Sequence, residues 1–137
     1  NWILGMIDNQ SGEIRLEIVP NNTRDAQTLL PLIQRHVMPG STIMTDEWCA
    51  YNNLANIGYN HLTVNHTLHF VDPLTLANTQ HIESTWSAMK RRLRDGGVRR
   101  QHLADYLCEF LWRREAKREG VDCFMQIVRD IAALYAV

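Results

Sequence analysis

The sequence lacks the features of a disulfide-rich, membrane-spanning or strongly charged protein. It holds three cysteines in 137 residues, an odd number at wide spacing, which argues against a framework of paired cysteines. We expect Cys49, Cys108 and Cys123 to be reduced thiols in the core. No run of about 18 apolar residues and no signal-peptide pattern occurs, so we expect an intracellular protein without a membrane partner. It would lie in the nucleus of a eukaryote, or in the cytoplasm or nucleoid of a bacterium.

The formal net charge of −1 conceals an uneven distribution of charge along the chain. Residues 1–89 carry three of the fourteen Lys and Arg side chains and eight of the fifteen acids, a balance of −5. Residues 90–137 carry eleven bases and seven acids, a balance of +4. A basic C-terminal part is compatible with binding to a polyanion such as DNA, which the total charge alone would not suggest. The hydrophobic content of 45% is sufficient for one folded domain over residues 1–137.

Hydrophobic periodicity predicts the element order β-β-α-β-α-β-α-α-α. This order is typical of an α/β domain with one mixed sheet, flanking helices and a C-terminal helical extension. We expect all four strands to be neighbours in that sheet. The predicted strands are Trp2–Ile7, Glu13–Val19, Ser41–Asp46 and His61–Asn65. The first predicted helix is capped by Thr23 or Asp25, and the others start near Trp48, Ile82, Gln101 and Phe124.

Two acidic residues and one lysine are the candidate site residues. Asp46 ends an apolar strand, and Glu83 lies in the first turn of a helix on which Lys90 follows two turns later, on the same face. Carboxylates at a strand end and at a helix start can converge on a divalent cation. Hard cations such as Mg²⁺ prefer oxygen ligands and substrate phosphates, as in a phosphoryl-transfer site.

Each of these residues also has an ordinary structural interpretation. An Asp after a strand often caps the next helix, and a Glu at a helix start complements the helix dipole. Trp48, Trp86 and Trp112 lie on apolar stripes, which favours a place in the core over stacking on nucleic-acid bases.

A basic segment, residues 90–100, follows directly after the candidate site. Six bases against one acid in eleven residues favour contacts with phosphates, although a solvated helix face is the usual role of such a run. The later bases at 113–118 alternate with acids and indicate an ion-paired surface. The candidate DNA-binding residues are Lys90, Arg91, Arg92, Arg94, Arg99 and Arg100.

Several histidines lie in the middle of the chain without the spacing of a zinc site. No Cys-x-x-Cys or His-x-x-x-His pair accompanies them, so the pattern does not favour structural zinc. These histidines are His61, His66, His69 and His81.

The order and spacing of short motifs over nearly the whole chain resemble one known family. The sequence is similar to the catalytic domain of Merlin-type DDE transposases and of the ISXO-like insertion-sequence transposases. The 36 residues between Asp46 and Glu83 agree with this resemblance. The matching motifs are Leu29-Leu30-Pro31-Leu32-Ile33, Pro39-Gly40-Ser41-Thr42-Ile43, Thr45-Asp46-Glu47-Trp48-Cys49-Ala50-Tyr51, His61-Leu62-Thr63-Val64-Asn65-His66, Phe70-Val71-Asp72-Pro73, Ile82-Glu83-Ser84-Thr85-Trp86 and Tyr106-Leu107-Cys108-Glu109-Phe110-Leu111-Trp112-Arg113-Arg114.

The resemblance implies a ribonuclease-H-like fold and metal-dependent DNA strand cleavage and transfer. It assigns Asp46 to the second acid of the catalytic triad, Glu83 to the third, and Lys90 to the basic residue that follows. It also implies Mg²⁺ or Mn²⁺ as the cofactor, no small-molecule cofactor, and transposon ends and target DNA as partners. A homo-oligomer is a further possibility that it raises.

The chain departs from the family pattern in two places. The family's first catalytic Asp lies on a strand upstream of Trp2, so we expect that strand to be missing and the edge beside the first hairpin to be open. Asp8 falls in the hairpin loop and does not replace it. The family tends to have His-Thr-Asn where this chain has Asn78-Thr79-Gln80. We therefore expect the 137-residue chain to be inactive as an enzyme, and the alternative is a domesticated or relic module that only binds DNA or oligomerises.

Overall fold

The computed structural model describes residues 1–136, without the side chains of residues 95 and 96. The chain forms two compact units, the first of residues 1–87 and the second beginning at Ala88. The prediction of one domain over residues 1–137 stays a prediction.

The first unit begins with the predicted hairpin. Strand β1 (Ile3–Ile7) pairs antiparallel with β2 (Ile14–Ile18), so that Ile3 lies opposite Ile18. The backbone NH of Asp8 donates to the carbonyl of Glu13 at 2.9 Å and closes the turn. Gly12 has a φ of 74°, a conformation that glycine adopts without steric cost. The sequence therefore predicted this hairpin correctly.

Helix α1 (Ala26–His36) follows a side-chain cap. The Asp25 carboxylate accepts from the backbone NH of Thr28 at 2.8 Å, which satisfies one of the amides that a helix start leaves unpaired. The helix buries Leu29, Leu32 and Ile33 on one face. Of the two caps that the sequence allowed, Asp25 is the one used.

A parallel pair of strands comes next. Strand β3 (Thr42–Thr45) pairs with β4 (Asn60–Thr63), with Thr45 opposite Thr63. The connection contains two 3₁₀ turns, Cys49–Tyr51 and Leu54–Ile57, where one short helix was expected.

The strands form two sheets of two strands each, β1 with β2 and β3 with β4. The expectation of one mixed sheet containing all four strands was wrong. Hydrophobic patterning specifies which face of a strand is buried, but it does not specify which strands pair along their edges. Within the described chain each strand, including β1, is paired along one edge only. The expectation of a missing strand beside β1 stays a prediction.

Both strand pairs and α1 contribute to one hydrophobic core. Leu4 and Val19 enter it from the hairpin, and Ile43 of β3 packs against it. Leu54 is fully buried. The buried members of the core are Leu4, Val19, Leu29, Leu32, Ile33, Ala50, Leu54 and Tyr59.

A structured loop of residues 64–79 leads from β4 to helix α2 (Gln80–Gly96). Asp72 organises the loop, since its Oδ1 accepts from the backbone NH groups of Leu74 and Thr75 at 2.9 and 2.8 Å. A bridge between Val71 and Asn78 draws the two arms of the loop together. The polar and proline-containing sequence of residues 66–79 predicts a loop, and apart from this bridge the described residues there lie in no strand or helix.

The second unit contains the rest of α2, helix α3 (Leu103–Arg118) and helix α4 (Cys123–Leu134). The Trp112 indole NH donates to Asp130 at 2.6 Å and joins α3 to α4. Apolar periodicity predicts a buried stripe of Leu103, Tyr106, Leu107, Phe110 and Leu111 on this helix. On α3 the buried residues are Leu107 and Ala116, so the predicted stripe was wrong at four of its five positions. The described helices include none with the length and apolar character needed to cross a membrane.

The apolar face of α4 is exposed. The helix is amphipathic, but its larger apolar side chains remain 44 to 75% exposed. These side chains are Phe124, Met125, Ile127, Val128, Ile131 and Leu134.

Two further expectations about buried residues need correction. Cys49 and Cys108 are exposed and Cys123 is half-buried, so these free thiols are not core residues. Trp48 is 42% exposed because it covers Arg24 and not the core. Helical periodicity locates a buried stripe on an α-helix, but Trp48 has an extended backbone and precedes a short 3₁₀ turn, so that period does not apply to it.

Candidate active site

Asp46 lies directly after β3, at the carboxyl edge of the parallel strand pair. Its Oδ1 accepts from the backbone NH of Trp48 at 3.1 Å, an Asx turn that starts the following 3₁₀ segment. Asp46 therefore has the ordinary structural role of an Asp after a strand, which is to hold the start of the following turn. Within the described chain, the second oxygen of Asp46 makes no hydrogen bond, so it is available to a ligand.

A threonine and a histidine support the backbone at Asp46. The Thr45 hydroxyl lies 2.6 Å from the Asp46 carbonyl oxygen and 2.8 Å from Nε2 of His61. Burial lowers the pKa of His61 and favours its neutral form. Burial also raises the pKa of Tyr51, and the negative charge of Asp46 raises it further.

An arginine stacks between two tryptophans beside Asp46. The Arg24 guanidinium lies 3.6 Å from the centre of the Trp2 ring and 4.8 Å from that of Trp48. The Trp48 indole NH also donates to the Arg24 carbonyl at 3.3 Å. A shallow cavity of about 500 Å³ adjoins this stack. These contacts hold Trp48 against Arg24, outside the core.

Glu83 lies in the first turn of α2, as predicted. Its Oε1 accepts from the Thr79 hydroxyl at 2.7 Å and lies 3.2 Å from Nε2 of His66. The same His66 nitrogen is 2.9 Å from the Thr79 hydroxyl. Among the described residues, Oε2 of Glu83 has no hydrogen-bond partner. Glu83 is therefore held through one oxygen, as Asp46 is.

His66 is the site residue whose role the sequence did not reveal. Thr79 precedes Glu83 by four residues, a spacing that indicates a contact across one helical turn. His66 lies in the loop after β4, and no spacing rule connects it with Glu83. The described side chains include no group of three or more His, Cys, Asp and Glu residues arranged to hold a metal, so no zinc site is seen at His66.

The parallel pairing relates Asp46 to His66. Thr45 and Thr63 are partners, and the Val64 backbone NH donates to the Thr45 carbonyl at 3.0 Å. Asp46 and the segment leading to His66 therefore leave the sheet at the same edge. The described contacts connect His66 with Glu83, and none joins Asp46 to Glu83 directly.

Both carboxylate oxygens of Asp8 accept hydrogen bonds within the hairpin turn. Its two oxygens accept from the backbone NH of Gln10 at 2.9 Å and from the Ser11 hydroxyl at 2.8 Å. These hydrogen bonds hold the pKa of Asp8 below its usual range. The expectation that Asp8 has a turn-forming position agrees with this geometry.

The described bases of the basic segment are exposed, and Arg92 is engaged by an acid of α3. Arg92 forms an ion pair with Glu109 at 3.1 Å, and Glu109 also binds Arg113 at 2.7 Å. These two arginines lower the pKa of Glu109, with the hydrogen bond from Arg113 as the larger cause. Arg118 pairs with Glu115 at 2.7 Å, so the bases at 113–118 include the expected ion pairs.

The comparisons with known proteins agree with one another. Residues 1–115 match the ISXO2-like transposase domain. The chain is 34% identical over 97 residues to an uncharacterized transposase-like protein of Haemophilus influenzae, an alignment that covers 70% of this chain and 76% of that protein. No solved structure matches the chain. The chain belongs to the family of ISXO2-like transposase domains.

Proposed function

We propose that this domain is the catalytic domain of a DDE-type DNA transposase, related to the Merlin-type elements. Its reaction is metal-dependent cleavage and transfer of DNA strands. Asp46 and Glu83 hold Mg²⁺ or Mn²⁺, and Lys90 contacts phosphates of the transposon end. Target DNA is the second nucleic-acid partner.

The observation that carries this proposal is that Asp46 and Glu83 use their carboxylate oxygens in the same way. Each carboxylate is fixed through one oxygen and has a second oxygen without a hydrogen-bond partner among the described residues. Hard divalent cations prefer such oxygens, so the donor set suits Mg²⁺ or Mn²⁺. A bound cation would lower the pKa of a water or a 3′-hydroxyl and stabilise charge on the phosphate.

The proposal extends to a ribonuclease-H-like arrangement of the strands. Among the described residues β1 has an unpaired edge, and the two small sheets share one core. A further strand pairing with β1 would extend the hairpin and bring it closer to a complete mixed sheet. The family's first acid belongs to such a strand and has no counterpart within residues 1–137. Two acids hold a cation less well than three, so we expect this polypeptide alone to bind metal weakly and not to cleave DNA.

A second candidate function is a module that binds DNA or oligomerises without catalysis. The exposed basic segment favours it, because binding to phosphates needs no metal. The genomic sequence upstream of Asn1 discriminates the two candidates. An acid-bearing strand encoded there in frame supports the enzyme, and its absence supports the module.

Metal binding tests the proposed site directly. We expect Asp46→Asn and Glu83→Gln each to weaken Mn²⁺ binding at least about tenfold, measured by electron paramagnetic resonance of free Mn²⁺, because each removes a charged ligand. Glu47→Gln is the matched control, since it removes one exposed negative charge next to Asp46. The proposal is wrong if all three variants bind Mn²⁺ as the parent does.

A further inference from the structure

We propose that His66 is a positioning residue for Glu83, acting together with Thr79. The inference rests on the proposed function, because it concerns the oxygen that Glu83 presents to the cation. It adds a histidine to the proposed site, which so far consists of two acids and a lysine.

Three polar atoms form a closed triangle at the start of α2. The Thr79 hydroxyl is 2.7 Å from Glu83 Oε1 and 2.9 Å from His66 Nε2, and Nε2 is 3.2 Å from Oε1. A carboxylate only accepts, and a hydroxyl has one proton to donate. If that proton goes to Glu83, then Nε2 of His66 must carry a hydrogen to satisfy both remaining contacts. The geometry therefore points to a histidine protonated at Nε2 that donates toward Thr79 and Glu83.

Burial explains why this arrangement holds its shape. Thr79 is only 9% exposed, so its hydroxyl has little access to water and depends on protein partners. The side chains of His66 and Glu83 are 35% and 53% exposed and reach the anchored hydroxyl from the solvent side. An unrestrained Glu side chain samples many rotamers, and fixing Oε1 reduces that freedom before any ligand arrives.

The two carboxylate oxygens of Glu83 therefore have different roles. Oε1 is occupied by Thr79 and His66, and Oε2 remains for a cation. Groups that orient a metal ligand in this way commonly affect metal affinity although they do not touch the metal. Loss of the donor at His66 should therefore weaken cation binding without unfolding the domain.

The first test examines the histidine without any metal. ¹⁵N-edited NMR at about pH 8.5, where a free imidazole is neutral, should show His66 with its proton on Nε2 and protected from exchange. Thr79→Val removes the hydroxyl at nearly constant shape, and the protection should then be lost. A proton on Nδ1, or equal protection in the Val variant, overturns the inference.

The second test measures Mn²⁺ affinity by the resonance method used for the acids. His66→Leu and Thr79→Val should weaken binding by about 10- to 100-fold, whereas His66→Gln and Thr79→Ser, which keep a donor, should remain within about threefold of the parent. His69→Leu is the control, with the same substitution at an exposed histidine of the same loop. Circular dichroism melting shows whether each variant is folded.

The outcomes separate this inference from the proposed function. A parent that binds Mn²⁺ no better than Glu83→Gln refutes the metal site and the role of His66 with it. A parent that binds, with Glu83→Gln weakened but His66→Leu and His66→Gln both equal to His69→Leu, refutes the role of His66 alone. Rescue by His66→Gln but not by His66→Leu supports a hydrogen-bond role, which a loss of packing would not produce.

Discussion

The indole of Trp86 occupies the space beside Gly5 that a β-carbon would fill. An ideal β-carbon on Gly5 would lie 2.8 Å from Cη2 of Trp86 and 3.1 Å from Cδ1 of Ile82. Glycine in β1 thus lets the first turns of α2, which carry Glu83, approach the hairpin. A Gly inside a strand commonly marks such a close approach.

Gly5→Ala should therefore destabilise the first unit. We expect the free energy of unfolding in urea to fall by about 1–3 kcal/mol, the usual cost of adding a methyl group to a packed contact. In a Trp86→Leu background the same substitution should cost less, because the atoms that it meets are absent. Equal costs in both backgrounds would show that the contact with Trp86 does not limit residue 5.

The ion pairs of Glu17 should make stability depend on pH. Nε2 of His36 lies 2.6 Å from Glu17 Oε1, and Arg35 lies 3.2 Å from the same atom, joining β2 to α1. The hydrogen bond from His36 is the largest cause that lowers the pKa of Glu17 below its ordinary value of 4.5. Its stabilising effect is therefore complete above the unfolded pKa and is lost as the pH falls through the lowered folded pKa.

Glu17→Gln should consequently reduce stability near neutral pH by at most about 1 kcal/mol, since the pair is partly solvated. The difference from the parent should shrink as the pH falls below about 4.5. Thermal melts at several pH values measure it. A difference that grows on acidification would contradict the assigned sign.

The basic segment should bind DNA through its phosphates. Among the described residues, Arg91, Arg99 and Arg100 are exposed and form no ion pair, so they are better phosphate ligands than Arg92, which binds Glu109. Replacing these three by Ala should weaken binding and reduce the slope of log K against log salt by up to about three. Filter binding at several salt concentrations measures both quantities.

The control for this experiment has the same change in charge at the ion-paired surface. Replacing Arg113, Lys117 and Arg118 by Ala removes three positive charges, two of them from arginines that pair with acids. If both triple variants lose the same affinity and slope, net charge alone governs binding and the basic segment has no special role.

Asp8→Ala should affect the hairpin and leave the candidate site intact. The substitution removes the acceptors of Gln10 and Ser11, so the melting temperature should fall. Mn²⁺ affinity should match that of the parent, because both oxygens of Asp8 serve the turn. A loss of Mn²⁺ binding comparable with that of Glu83→Gln, in a folded variant, would make Asp8 a third acid.

Local structure was predictable from the sequence because short-range chemistry determines it. The Asp8–Glu13 turn, the Asp25 cap and the start of α2 before Glu83 each depend on residues within a few positions of one another. Strand pairing depends on partners far away in the chain, and so the two separate sheets were not foreseen. A contact such as that between β1 and Trp86 has no local signal except the glycine itself.

The candidate site was also predictable only in part, and again the local features were the predictable ones. The positions of Asp46 at a strand end and Glu83 at a helix start followed from periodicity. His66 is separated from Glu83 by a loop whose path the sequence does not specify, so its hydrogen bonds could not be predicted. Trp48 was assigned to the core from its apolar character, although its contact with Arg24 keeps it at the surface.

The hydrogen bond between His66 and Thr79 joins the two ends of the loop that separates β4 from α2. With its ends fixed, the loop can change in length at little cost, since each doubling adds only about 0.6 kcal/mol of closure entropy. Insertions in relatives should therefore fall between His66 and Thr79. The number of residues between Asp46 and Glu83 can then differ from one relative to another. Between Thr79 and Glu83 even one added residue would rotate the carboxylate by about 100° around α2. That interval of four residues should stay constant where the overall spacing does not.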